Sequence, residues 1–316
     1  MNNQPVFSLI AEEDESILAE RHRAFDKRRQ GLWPSEASVA YQDGKRKVVL
    51  GKCHRQVFYR TNDIPKSNPG GIKLHQTGRI GKQLERMQIK LWKEMGLWVS
   101  NNVKFFNKEL VLSGEMDAIL RNPMTGKLMG IEMKTYAEYP NQKEIHGVKR
   151  EKETGRFIAG QPKESHFLQA LLYAWEYKDV LDEYRIFYMD RASGARVEFK
   201  VGFQKRNDGK HQCYWQQIPG PYWNAFQEGP SLQPFTIEDM HGRYKELIKI
   251  LRKKTLPKKE YMVEYDAATV ERLYSEGKIA KGKYERWVKN PNAKSNKLGD
   301  WHCAYCDWKD QCATDG

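Results

Sequence analysis

Two strand-like segments, GEMDAIL and LMGIEMKTY, flank the turn-forming run RNPMTGK, and each carries a carboxylate inside an otherwise apolar pattern: Asp117 in the first, Glu132 in the second. In a strand, residues two apart share a face, so Glu132 and Lys134 point one way while Ile131 and Met133 point into a core. A hairpin through the turn brings Asp117 alongside Glu132. Two carboxylates that converge repel each other unless a hard divalent cation neutralises them, and oxygen ligands of this kind suit Mg²⁺ or Mn²⁺. A lysine beside such a cation can orient or deprotonate a water and stabilise charge developing on a phosphate. The plainer reading makes Asp117, Glu132 and Lys134 solvent-facing positions of an amphipathic hairpin.

The surrounding pattern sets the fold class. Ile80, Leu84, Met87, Leu91 and Met95 recur at helical spacing, predicting a one-faced helix over 77–95 that Gly96 stops. LWVSNNVKFF is a further strand before the hairpin, HFLQALLYAWEY a helix after it, and EYRIFYMD and ARVEFKVGF resume the strands. The Pro/Gly/Asn-rich run IPKSNPGG breaks the chain between residues 64 and 71, and the polar stretch 141–163 reads as a mobile surface loop. Residues 12–29 are compatible with a charged peripheral helix. The class expected is α/β, a central mixed sheet flanked by helices, in three consecutive regions: 1–60, a core at 61–240, and a basic helical and cysteine-bearing region at 241–316.

Further residues fall into step with the hairpin. GKQLE places Glu85 on the one-faced helix, and HFLQALLYAW places Gln169 and Tyr173 four apart on one helix face. Helix Glu, strand Asp, strand Glu-x-Lys and helix Gln-xxx-Tyr, in this order, resemble the PD-(D/E)XK nuclease superfamily, in particular its RecB-like and lambda-exonuclease-like members. The resemblance implies a restriction-endonuclease-like core in which Glu85, Asp117, Glu132 and the backbone carbonyl of Met133 bind Mg²⁺ or Mn²⁺. It makes Lys134 the catalytic lysine, and gives Gln169 and Tyr173 contacts to a DNA end or support of the lysine. GIKLH supplies His75 as a rival first ligand to Glu85, and Met116 stands where the family often has proline. Glu115 matches no ligand position and reads as a surface or rim charge.

Cys303, Cys306 and Cys312 crowd the C-terminal end, Cys53 lies far upstream, and Cys213 has no nearby partner. Thiolates in such a group bind zinc or an iron-sulfur cluster, both of which favour four ligands. One cysteine before the core and three after it resemble the iron-sulfur RecB-like nucleases, which implies a 4Fe-4S cluster on Cys53, Cys303, Cys306 and Cys312. Zinc, with His54 or His302 as a fourth ligand, is the alternative, and unligated buried thiols the plainer one.

Of the 316 residues, 54 are Lys or Arg against 41 Asp or Glu, a formal net charge of +13 that favours a polyanionic partner. Residues 243–297 hold 16 Lys+Arg against 7 Asp+Glu, interleaved with Tyr261, Tyr265, Tyr274, Tyr284 and Trp287, a composition suited to tracking phosphates and stacking bases. Lys149, Arg150, Lys152 and Arg156, between catalytic strand and Gln-xxx-Tyr helix, and Lys253 and Lys254 are the DNA-contact candidates. A DNA exonuclease acting on ends or single strands is expected, in recombination, repair or CRISPR spacer processing. A non-catalytic DNA-binding iron-sulfur protein and an RNA-processing nuclease are the alternatives. No GxxxxGK[ST] loop occurs, so ATP-driven movement calls for a helicase or recombination partner. Without an apolar run of membrane-spanning length, a cytoplasmic protein, bacterial or phage-encoded, is expected, and oligomers are compatible with it.

Overall fold

The computed structural model describes residues 31–137, 139–147, 155, 158–221 and 227–315. In chain order these form β1 (Ser38–Asp43), β2 (Arg46–Gly51), α1 (His54–Thr61), α2 (Ile72–Glu94), β3 (Trp98–Asn107), β4 (Leu112–Arg121), β5 (Leu128–Tyr136), α3 (Tyr139–His146), α4 (Glu164–Glu176), β6 (Glu183–Asp190), β7 (Arg196–Lys205), β8 (His211–Ile218), β9 (Ser231–Thr236), α5 (Ile237–Lys253), α6 (Ala267–Ser275), α7 (Lys281–Lys289), α8 (Trp301–Ala304) and α9 (Lys309–Thr314). The chain divides into two compact units, one holding the residues up to Gly51 and Gly71–Glu246, the other Lys52–Gly70 and Leu247–Gly316. The smaller unit thus joins an early segment to the C-terminal part, where three consecutive regions were expected from the sequence.

The larger unit is a mixed seven-stranded sheet in the order β3-β4-β5-β6-β7-β8-β9, flanked by helices, with β1 and β2 as a separate antiparallel hairpin. Every neighbouring pair in the large sheet is antiparallel except β5 and β6. A parallel pair cannot be closed by a tight turn, so the chain crosses over between them, and α4 lies in that crossover. α4 carries an almost continuous apolar run, Phe167 to Ala174 broken by Gln169, and packs on β6, β7 and the β1–β2 hairpin. Ile89 and Trp92 of α2 pack with Ala118, Leu120, Met129, Ile131, Phe187 and Met189 of β4, β5 and β6.

Three expectations are corrected. α2 begins at Ile72 rather than 77, and although Gly96, with φ +71°, ends it as expected, its buried residues are Gln88, Ile89 and Trp92. Of the expected stripe, Leu84 packs on the core as expected, whereas Ile80 and Met87 are 53% and 52% exposed, because the helix turns Gln88, Ile89 and Trp92 inward beside it. The polar stretch after β5 is not all loop: α3 occupies its start, with Ile145 and His146 buried. It is secured by a hydrogen bond between the His146 ring and Tyr136 and by Gln142 donating to Asp190 at 2.6 Å. The sheet is also larger than the pattern implied, since β8 and β9 extend it and the cap of α5 follows directly, Thr236 and Asp239 exchanging hydrogen bonds.

In the smaller unit, Phe58 and Tyr59 of α1 pack against Trp308 and Cys312. Tyr59 donates to Asp315 at 2.6 Å and the Trp308 indole to the Ile64 carbonyl at 2.8 Å. The run IPKSNPGG is irregular as expected and lies partly inside this unit, Lys66 pairing with Asp307. Among the described residues no helix is long and apolar enough to cross a membrane.

Candidate active site

β4 and β5 pair from Arg121/Leu128 up to Ala118/Ile131, where the ladder stops. One step further, the Asp117 carboxylate takes over: its Oδ2 accepts the Met133 N–H at 2.6 Å. The two strands therefore part at the position where both carry an acid. Odd-numbered residues of β5, Met129, Ile131 and Met133, join the core beneath α2. Even-numbered ones take the other face, where Gln169 of α4 donates to Glu132 Oε1 at 2.7 Å. Lys134 donates to the same oxygen at 2.6 Å.

Glu132 is 2% exposed, and its second oxygen, Oε2, is buried with no hydrogen-bond partner among the described residues. A buried carboxylate oxygen left without a donor costs free energy comparable to a lost hydrogen bond to a charged group. Burial, then Glu132, push the pKa of Asp117 well above its usual value, with Lys134 and the Met133 N–H pulling the other way. Burial and Glu132 likewise raise Glu85, opposed by Lys134. Burial works against the Lys134 ammonium, but Glu132 and Asp117 outweigh it and hold its pKa above the ordinary lysine value. Three acids thus press on one another around one lysine.

Tyr173, one turn beyond Gln169, is 3% exposed. Its hydroxyl donates to the Glu115 carbonyl at 3.1 Å, and its ring stacks on Tyr184 at 6.0 Å and meets Phe105 edge-on. The ring lies so close over β4 that a Cβ on Gly114 would stand 2.9 Å from it. Tyr173 therefore braces the strand that carries Asp117. Glu115 itself turns to Asn102, at 2.7 Å, and Lys104, on the outer side of the hairpin. His75 lies ten residues before Glu85, roughly 15 Å along the helix axis. Its Nε2 is buried without a hydrogen-bond partner among the described residues.

Two residues at this site escaped the sequence reading. His166 lies one turn before Gln169 on α4, its ring hydrogen-bonded to the Tyr188 hydroxyl at 3.0 Å; burial, then Lys134 and Lys163, push its pKa well below the usual histidine range, so it is neutral. The i, i+3 spacing from Gln169 is the signal that could have found it. Arg191 follows β6, which runs parallel to β5, so it emerges beside the end of the Glu132–Lys134 strand. Sites in open sheets of this kind collect at the carboxyl ends of parallel strands.

No protein-family model matches the chain, and no curated protein matches it.

The four expected cluster cysteines all belong to the smaller unit, while Cys213 is fully buried in β8 of the larger one. Cys53 caps α1, Cys303 lies in α8, and Cys306 and Cys312 pack in the Phe58–Trp308 core. Burial first, then neighbouring groups, raise the thiol pKa of Cys53 to about 11 and of Cys303 to about 12; Cys312 acts on both, and Cys53 and Cys306 on Cys303. Arg55 Nη1 lies 3.7 Å from Cys312 Sγ. Among the described residues, no three His, Cys, Asp or Glu side chains are placed closely enough to encircle a metal ion, at the carboxylates or at the thiols.

Lys149, Arg150, Lys152 and Arg156, and the N-terminal helix expected over 12–29, lie outside the described residues. Lys253 and Lys254 are exposed at the end of α5. Of the aromatic residues expected to stack on bases, Tyr274 and Tyr284 stack on each other at 3.8 Å, joining α6 to α7, and Tyr261 stacks on His302 at 4.0 Å.

Proposed function

We propose that this chain is a divalent-metal-dependent nuclease of the PD-(D/E)XK type, acting on DNA ends or single strands. The observation that carries the reading is the divided state of Glu132: one oxygen is held by Lys134 and Gln169, the other is buried and unpartnered. Glu132 raises the pKa of both Asp117 and Glu85; carboxylates gathered in this way are donors a hard cation accepts, and Asp117, Glu132 and Glu85 would hold it once drawn in around it. A Mg²⁺ or Mn²⁺ ion bound there polarises a phosphodiester and acidifies a water.

The protein's own residues supply the rest. Lys134, kept protonated by its acidic neighbours, offers an ammonium to negative charge developing on the phosphate, and is poorly suited to act as a base in that state. Gln169 fixes the Glu132 carboxylate from α4, and Asp117 is fixed by the Met133 N–H, so both acids are oriented before any ligand arrives. The surplus of positive charge draws a polyanion toward the protein. In the smaller unit, Cys53, Cys303, Cys306 and Cys312 influence one another's titration, and thiolates are the donors a 4Fe-4S cluster takes; drawn together around one, they would tie α1 to the C-terminal segment.

The test is cleavage of end-labelled single-stranded DNA, double-stranded DNA and RNA with Mg²⁺, Mn²⁺ or EDTA, by wild type and Lys134→Ala purified anaerobically. Metal-dependent shortening of DNA that vanishes in the variant, with binding retained, is the expected result. Binding without cleavage under every metal would leave a DNA-binding scaffold, and preference for RNA would move the substrate class.

A further inference from the structure

Beside the carboxylates, between α2 and the ends of β5 and β6, lies a cleft of about 310 Å³. Gly81, Lys82 and Glu85 line it from the helix, and Lys134, Thr135 and Arg191 from the strands. The helix approaches closely here, since a Cβ on Gly81 would stand 3.0 Å from Thr135 Oγ1. Of the three cations lining it, Lys134 is already paired with Glu132, which leaves Lys82 and Arg191 facing the cleft.

Arg191 is the distinctive member. Its backbone N–H donates to the Tyr136 carbonyl at 2.8 Å and its Nη1 to Thr135 Oγ1 at 3.2 Å, so its main chain and the tip of its side chain are both held. Among the described residues no carboxylate pairs with it. Arg185, within β6, is by contrast bound by both Glu183 and Glu198. A guanidinium presents five N–H donors in a rigid fork that fits a phosphate, and at Arg191 a single neutral hydroxyl engages that fork. Lys82 stands exposed on the opposite wall.

We infer that Arg191 and Lys82 form a phosphate subsite, holding a phosphodiester of the nucleic-acid strand adjacent to the one at Glu132 and Lys134. The inference rests on the nuclease reading of the same site, and binding and cleavage separate the two. Thr135 positions the guanidinium, and Gly78, with nothing within 4 Å of where its Cβ would stand, leaves the helix wall open to the strand.

The test is the affinity of a fluorescein-labelled oligothymidylate in EDTA over a series of KCl concentrations, for wild type, Arg191→Ala, Arg191→Lys, Lys82→Ala and, as a control in the exposed β4–β5 turn, Lys127→Ala. Arg191→Ala is expected to weaken binding about tenfold or more. It should also lower the salt dependence of log K by about 0.7, the share of one phosphate on a single strand. Arg191→Lys should keep the slope but recover only part of the affinity, because an ammonium keeps the charge without the fork. If Arg191→Ala fails to fold, Lys82→Ala, at an exposed helical position, must show the same loss of slope.

Wild-type affinity and slope in both alanine variants overturn the subsite, as does a wild-type protein that binds no oligonucleotide. Cleavage in Mn²⁺ is read separately on the same proteins. Arg191-dependent binding without cleavage retains the subsite and removes the nuclease reading. Cleavage by wild type, with binding indifferent to Arg191 and Lys82, does the reverse.

Discussion

The two oxygens of Glu132 live in different surroundings, and the difference assigns work to the residues nearby. Oε1 is satisfied twice, by Lys134 and by Gln169, so truncating the glutamine leaves the carboxylate free to swing toward the lysine. Groups that orient a metal-binding carboxylate typically contribute 10–100-fold to affinity or activity, so Gln169→Leu is expected to cost roughly that much in Mn²⁺-dependent turnover with the fold intact. Tyr173, four residues on, is a contrasting case. Its hydroxyl serves the Glu115 carbonyl and is out of reach of solvent, so Tyr173→Phe should cost about 1 kcal/mol of stability in denaturant unfolding and leave KM for DNA unchanged. A raised KM without loss of stability would instead give Tyr173 the DNA-end contact that the family resemblance implies. Asp117, Glu132 and Lys134 could be singled out from the sequence because charge inside an apolar strand pattern is conspicuous. Arg191 could not, since an arginine after a strand is ordinary until the parallel pairing of β5 and β6 places it at the site.

The elements that were legible are those whose burial follows apolar spacing. β4, β5, β6 and α4 are of this kind, and their segments fall close to where the pattern put them. α2 is the instructive exception. Counting apolar residues selects Ile80, Leu84, Met87, Leu91 and Met95 as its inner face, whereas the helix turns Glu85 and Gln88 inward beside Leu84 and leaves Ile80, Met87 and Met95 outside. A helix beside a polar site need not bury its most apolar stripe. α3 was invisible for a related reason: Ile145 is the one buried aliphatic residue among its described side chains, and hydrogen bonds at Gln142 and His146 hold it. In α5, Gly242 is mid-helix with nothing within 4 Å of where a Cβ would stand. Gly242→Ala should therefore stabilise the protein by about 0.5–1 kcal/mol, seen as a higher melting temperature. Gly81→Ala should give no such gain, because its Cβ would press on Thr135 Oγ1 at 3.0 Å.

At the scale of the whole molecule, the chain folds as two units, and the smaller one is assembled from two pieces separated in sequence by the whole of Gly71–Glu246. No local pattern encodes that assembly; the cysteine spacing hinted at it, and only through likeness to iron-sulfur nucleases. If a cluster on Cys53, Cys303, Cys306 and Cys312 holds the pieces together, Cys303→Ser should raise hydrogen exchange in residues 54–61 and 301–314 together, leaving β5 and β6 protected. Exchange that stays unchanged would reduce the thiols to buried core. In the larger unit, three acids form the proposed site for a divalent cation. Mn²⁺ binding in the absence of nucleic acid, followed by electron paramagnetic resonance of the free ion, addresses it most directly. The expected result is saturable binding by wild type that falls at least tenfold in both Glu132→Gln and Asp117→Asn. Equal Mn²⁺ affinity in wild type and both variants would contradict it.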